Sequence, residues 1–288
     1  MQIIESLEDM KSSSQVFKDQ GKTIASIATF GYFHAGHISL IELAKANADI
    51  VVMSKHYDTH HIKSSDKRQS IITEYMETSF TKDIKFCELH GVDLFWNYVD
   101  NPNEVLSFKE GVCANITSLM LFLTSKNRCA GPIDNYARVW PQRLIAEKAD
   151  VLVLGEKDFH QNMVMGYSIK DLNLPIKLVT TPIVRDFDGL PFSSRNSKLT
   201  KAERAKALSM PKILKEISEW SSYPSVKEIK DYFISAIKNA GGQTWYADVC
   251  DAKTGEPLSV VDREAVVVVA TKFGNGVYLS DNILISPK

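Results

Sequence analysis

Apolar positions along the chain keep changing period. Thr23–Gly31 (TIASIATFG) is a short apolar run, partly β-branched, that ends at a glycine. Such a run predicts a strand buried on both faces. The polar turn YFHAGH follows, and then Ile38, Ile41, Ala44 and Ala48 recur three or four residues apart, the spacing of one helical face. Ile50–Met53 is again short and apolar, so the three segments predict a βαβ unit with a right-handed crossover. Helical pattern over 66–90 leads into a strand at Val92–Tyr98, and helical pattern over 135–148 into a strand at Val151–Leu154, closed by Gly155. A helix over 160–172 precedes a last strand at Ile176–Val179. Strands and helices in strict alternation predict a doubly wound, Rossmann-like α/β sheet.

The texture changes after Asp186. FDGLPFSSRNSKLT is rich in turn formers, and two helical stretches follow at about 201–219 and 226–240, the second stopped by Gly241–Gly242. Three short strand patterns close the chain: TWYADVCDA, AVVVVATKF and GVYLSDNILI. These place a boundary near residue 187, with a nucleotide-binding α/β domain over 1–187 and a smaller α+β domain over 188–288.

Composition narrows the function classes. With 288 residues, 44% of them hydrophobic, the chain can bury a sizeable core. Lys and Arg (34) nearly balance Asp and Glu (35), so no charge footprint points to nucleic acid or membrane. Cys87, Cys113, Cys129 and Cys250 are scattered without a CxxC, as reduced thiols are. The N-terminal segment lacks a signal-peptide pattern, and no apolar run approaches the roughly 18 residues of a membrane span. A cytoplasmic protein is expected.

Three polar loops fall at ends of predicted strands. His34-Ala35-Gly36-His37 opens the first helix, where free N–H groups favour an anion, Gly36 admits close approach, and imidazoles can donate to phosphoryl oxygens. Gly155-Glu156-Lys157-Asp158 follows the VLVL strand; Lys157 suits a phosphate, and Asp158 a ribose hydroxyl or hydrated magnesium. Ser193-Ser194-Arg195-Asn196 offers two hydroxyls and a guanidinium. Each alone also reads as an ordinary capped helix start or polar loop. Together, on one sheet edge, they point to a phosphate-binding site.

In this order and at these separations, HxGH, GEKD and SSRN resemble the pantothenate synthetase (pantoate–β-alanine ligase) family of HxGH nucleotidyltransferases. HGVDLFW, ADVLVLGEKDFHQ, PIVRDFDGLPFSSRNSKLTKAERAKA, DAKTGEPLS and GVYLSDN extend the likeness over nearly the whole chain. The resemblance implies an AMP-forming ligase that uses ATP and Mg2+ and acts as a homodimer. An acid attacks the α-phosphate of ATP, and an amine then displaces AMP. It implies that Phe30, Gly31, His34, Gly36 and His37 lie along ATP, with His37 as the proton donor of the family. Gly155, Lys157, Asp158, Val184, Phe192, Ser193, Ser194 and Arg195 complete the nucleotide site. Catalysis is assigned to His34, His37, Lys157 and Arg195, and a place near magnesium to Asp83.

Departures from the family concentrate on the acid side. ATFGYFHAGH stands where the family reads PTMGALHEGH, and SKHYDTHHI, from Ser54 to Ile62, where it reads SIFVNPLQF. The family glutamine that holds the acid falls on His61 and its asparagine on Asp58, whereas the second acid-binding glutamine is kept as Gln161. The family stretch RPGHF falls on Cys129–Ile133 and has lost its arginine and histidine. The cluster Lys55, His56, Asp58, His60 and His61 matches no zinc spacing, and a reshaped polar pocket or an exposed loop accounts for it better. Two rivals to the ligase remain: a transferase that stops at nucleotidyl transfer, and a non-catalytic nucleotide-binding relative.

Overall fold

The computed structural model of the chain describes residues 1–56, 65–97, 133–223, 225–274 and 276–288, leaving out the side chains of 65–69, 71 and 133–138. Asp58, His60, His61, Cys113 and Cys129 lie outside the described residues.

Six strands form one parallel sheet: β1 (Gln2–Ile4), β2 (Ile24–Thr29), β3 (Ile50–Lys55), β4 (Leu94–Asn97), β5 (Val151–Gly155) and β6 (Lys177–Thr181). Their order is β1-β4-β3-β2-β5-β6. The order reverses between β2 and β5, and this crevice at the strands' carboxyl ends is where ligands of such sheets bind. Every residue of β3 is buried and β2 nearly so, as the continuous apolar runs predict.

Helix α1 (Leu7–Asp19) precedes β2, and α2 (Ala35–Asn47) connects β2 to β3. The helical pattern over 66–90 is two helices, α3 (Ser65–Thr78) and α4 (Phe80–Leu89), hinged at Ser79. Next come α5 (Ile133–Ala146) and α6 (Phe159–Asp171). Ile41 and Ala44 of α2 and Cys87 of α4 pack with Ile27, Met53 and Phe95 on one face of the sheet. Met10 of α1 packs with Ile24, Val52 and Trp96 on the other. Burial of each such side chain stabilises the fold by about 1.5–3 kcal/mol.

All six of these strands precede residue 187. After it, α7 (Lys201–Ala207), α8 (Ser209–Glu219) and α9 (Val226–Asn239) pack on an antiparallel sheet of β7 (Gln243–Asp251), β8 (Ala265–Phe273) and β9 (Val277–Ile285). Ile213, Leu214, Ile217, Ile229 and Phe233 meet Val267, Val269 and Phe273 in that core. No helix among the described residues is long and apolar enough to cross a membrane.

Candidate active site

The turn after β2 sets the position of the first motif. Gly31 (φ 77°) and Tyr32 (φ 57°) are consecutive residues in the left-handed region. A Cβ on Gly31 would lie 2.6 Å from Lys55 Cε and 2.7 Å from Tyr75 Cε2. Gly31→Ala is therefore expected to cost about 1–3 kcal/mol, from backbone strain plus the clash, seen as a lowered Tm. An unchanged Tm would show that the turn relaxes freely.

His34 is the N-cap of α2, and its Nδ1 accepts the Gly36 N–H at 3.2 Å. His37 Nδ1 in turn accepts the His34 N–H at 3.2 Å, closing a capping box built from two imidazoles. Both Nδ1 atoms act as acceptors, so in the neutral rings the proton sits on Nε2. The rings lie 4.1 Å apart, and Phe192 stacks on His34 at 5.6 Å with an 18° interplanar angle. Burial, with the Lys157 charge nearby, lowers the His34 pKa to about 4. Burial and then the neighbouring His34 hold His37 well below the usual imidazole value. At neutral pH both rings are uncharged hydrogen-bond donors through Nε2.

The second motif lies across the crevice. Glu156–Asp158 form one 3₁₀ turn between β5 and α6. Asn282 of β9 donates to the carbonyls of Glu156 at 2.8 Å and Lys157 at 2.9 Å, so the second sheet fixes the loop that carries Lys157. Asn162 Nδ2 donates to the Gly155 carbonyl at 3.0 Å from the helix side.

The third motif is mounted on a hairpin. Phe192 N–H donates to the Val184 carbonyl at 3.0 Å, and Arg185 bridges to Pro191. Arg204 reaches back to Asp186 at 2.6 Å and to Asp188 at 2.7 Å, bracing the tip. Arg185 makes a two-pronged pair with buried Asp281, at 2.9 and 3.0 Å, tying the hairpin to β9. Ser193 then caps a 3₁₀ turn over Ser194–Lys198, and Arg195 donates to the Tyr278 carbonyl at 3.3 Å.

The three motifs share the wall of one cavity of about 480 Å³. Every candidate site residue among the described ones lines it except Asp83, including Val184 and Gln161. Asp83 lies behind the turn, where its carboxylate takes hydrogen bonds from Tyr32 N–H, Phe33 N–H and the Tyr75 hydroxyl. Among the further lining residues not singled out as nucleotide contacts are Lys55, His56, Tyr75, Trp140 and His160. Lys55 and His56 stand at the carboxyl end of β3 and are nearly fully buried, and His56 stacks on Trp140 at 5.2 Å. Charged and polar residues closing an otherwise apolar strand were the available signal for these two. Nothing in the local sequence marks Trp140, and Asn282 entered only as part of the GVYLSDN likeness, with no role attached. Among the described residues no three His, Cys, Asp or Glu side chains converge as a metal cluster.

The family model for pantoate-beta-alanine ligase matches residues 2–284. The chain belongs to the pantoate–beta-alanine ligase family. It is thus an enzyme, an ATP-dependent ligase. The pantothenate synthetase of Thermotoga neapolitana is 31% identical over 291 residues, covering 99% of this chain and all of that one. That of Thermotoga petrophila is 29% identical over 287 residues, covering 99% and 100%. The pantothenate synthetase of Thermus thermophilus has the same fold, with a TM-score of 0.77 over the full length of both chains at 22% identity. The pantoate-beta-alanine ligase of Francisella tularensis, crystallised with beta-gamma ATP and beta-alanine, superposes with a TM-score of 0.76 at 24% identity, covering 99% and 97%.

Proposed function

We propose that this chain joins pantoate to β-alanine through an acyl-adenylate, in the cavity where HxGH, GEKD and SSRN meet. The observation that carries this reading is the convergence of two uncharged imidazoles, Lys157 and Arg195 on one crevice at the sheet's reversal point. A pantoate carboxylate oxygen forms a bond to the α-phosphorus of ATP, and the bond to the β-phosphate oxygen breaks, releasing pyrophosphate. The β-alanine nitrogen then bonds to the acyl carbon, loses a proton and expels AMP. The chain's own part is alignment and charge stabilisation, since phosphoryl transfer asks for little else. His34 and His37 donate from Nε2, the α2 N-terminus adds the positive end of its dipole, and Lys157 and Arg195 balance the triphosphate. Phe192, stacked on His34, keeps the rings aligned beside the nucleotide.

Magnesium, when bound, screens the charge of the triphosphate. Asp158, in the cavity wall beside Lys157, fits a hydrated ion held mainly by the nucleotide; Asp83, whose oxygens serve backbone N–H groups, does not. A homodimer in the cytoplasm is the expected setting. The buried thiols Cys87 and Cys250, neither of them in a disulfide, accord with a reducing compartment, and light scattering in solution tests the dimer.

A second reading concerns only the acid. Lys55 and His56 line the cavity where the family stretch carries isoleucine and phenylalanine, so this wall favours an acid with a further anionic or strongly accepting group. One assay tests both readings: kcat/KM with β-alanine across pantoate and hydroxy-acids bearing a second carboxylate. Preference for pantoate, with AMP and pyrophosphate formed, supports the first reading. A preferred dicarboxylate supports the second, and ADP with phosphate excludes both.

A further inference from the structure

The turn that presents the HxGH histidines is held from outside the cavity. Two successive left-handed residues, one of them not glycine, persist only where the surroundings over-determine them. Asp83 supplies that constraint. It sits on α4, is 3% exposed, and does not line the cavity. Its Oδ2 accepts the Tyr32 N–H at 2.7 Å and its Oδ1 accepts the Phe33 N–H at 2.8 Å. Tyr75, 1% exposed, donates its hydroxyl to Oδ2 at 2.8 Å and packs edge-on against the Tyr32 ring at 5.5 Å. Lys55 passes beneath Gly31; its Nζ donates to the His56 carbonyl at 2.5 Å and stands 4.5 Å over the Tyr75 ring. The carboxylate thus grips both N–H groups immediately before His34, and any rotation of that pair would carry the α2 N-terminus with it.

We propose that Asp83 is the positioning residue of the phosphate-binding turn, fixing the direction of the α2 N-terminus and its two histidines, and is not a ligand of magnesium. Its catalytic consequence rests on the nucleotide reading above; the clamp itself does not. Losing one charged hydrogen bond of this kind shifts an equilibrium by roughly tenfold or more, and a displacement of about 1 Å at reacting groups costs on the order of a hundredfold in rate. Asp83→Asn keeps the shape but turns an N–H₂ group toward one of the two backbone donors. Asp83→Ala removes both acceptors. Tyr75→Phe leaves the carboxylate in place and deletes only its third partner, so it stays informative even if the Asp83 variants fold poorly.

The experiment uses the full chain and two readouts. Amide hydrogen exchange over 30–37 is expected to speed up roughly tenfold or more in Asp83→Asn while that of β2 holds, on the scale of one lost charged hydrogen bond. Calorimetry is expected to show the Kd for Mg-ATP raised about tenfold in Asp83→Asn, more in Asp83→Ala and less in Tyr75→Phe. The KM for the amine and the Mg2+ concentration for half-maximal activity should not move. Unchanged exchange in Asp83→Asn overturns the clamp. A raised Mg2+ requirement with unchanged exchange overturns it too, and makes Asp83 a metal ligand. If the wild type fails to bind ATP, the nucleotide reading falls by itself, and the exchange comparison still decides the clamp.

Discussion

Replacing Lys157 or Arg195 by alanine is expected to slow acid-dependent pyrophosphate–ATP exchange by roughly 10²–10³, the scale of losing one donor that stabilises developing charge. The two cations come from different parts of the chain and are held by different anchors. Lys157 rides on a turn whose carbonyls are gripped by Asn282, and Arg195 leans on the Tyr278 carbonyl of the same strand, β9. Both therefore reach the crevice only if the second sheet is docked over the first. Asn282→Ala should accordingly reproduce part of the Lys157 defect without removing any charge from the cavity. Arg195→Lys should recover only a fraction of the exchange, because an ammonium lacks the planar fork that a guanidinium presents to phosphate oxygens. Calorimetric ATP affinity and exchange rate that are both unchanged in Lys157→Ala and Arg195→Ala would sink the assignment.

Much of this architecture was legible because buried parallel strands are uninterrupted apolar runs. β2, β3 and β5 were found within two residues at either end, and the polar turns that follow β2 and β5 mark the crevice without any structure. What escaped notice has physical causes. β1 is three residues long, too short for any periodicity, and is a strand only because Gln2, Ile3 and Ile4 pair with Leu94, Phe95 and Trp96. The break at Ser79 lies in a helical pattern without glycine or proline, so tertiary packing alone separates α3 from α4. Asn282 and Lys157 are 125 residues apart, and nothing local to either announces the contact. Asp83 shows the opposite difficulty. A family likeness sets an acidic residue near the metal, yet only coordinates reveal whether its oxygens face the cavity or the backbone behind it.

The capping and phosphate-binding roles of each histidine fall on different ring nitrogens, and the last expectation uses that. At His37 the cap is made by Nδ1, three bonds from Cα, and the cavity is served by Nε2, one bond further out. An asparagine oxygen reproduces the first position and a glutamine amide the second. His37→Asn should therefore keep the cap and the Tm but lose roughly 10²–10³ in adenylation, having no donor at the phosphate. His37→Gln should keep a larger share of the activity while losing about 1 kcal/mol of stability with the cap. Acid titration supplies an independent check. His34 falls to a pKa of about 4 in the folded chain from an ordinary value of 6.5, and His37 is lowered in the same sense. Between those values the unfolded chain binds more protons than the folded one, so stability is fully present above about pH 6.5 and declines as pH falls toward 4. Replacing either ring by asparagine removes its share of that decline and should flatten the plot of Tm against pH over this window. If His37→Asn instead left adenylation intact, or the wild type gained stability on acidification, the uncharged, Nε2-protonated pair would be the wrong description of this site.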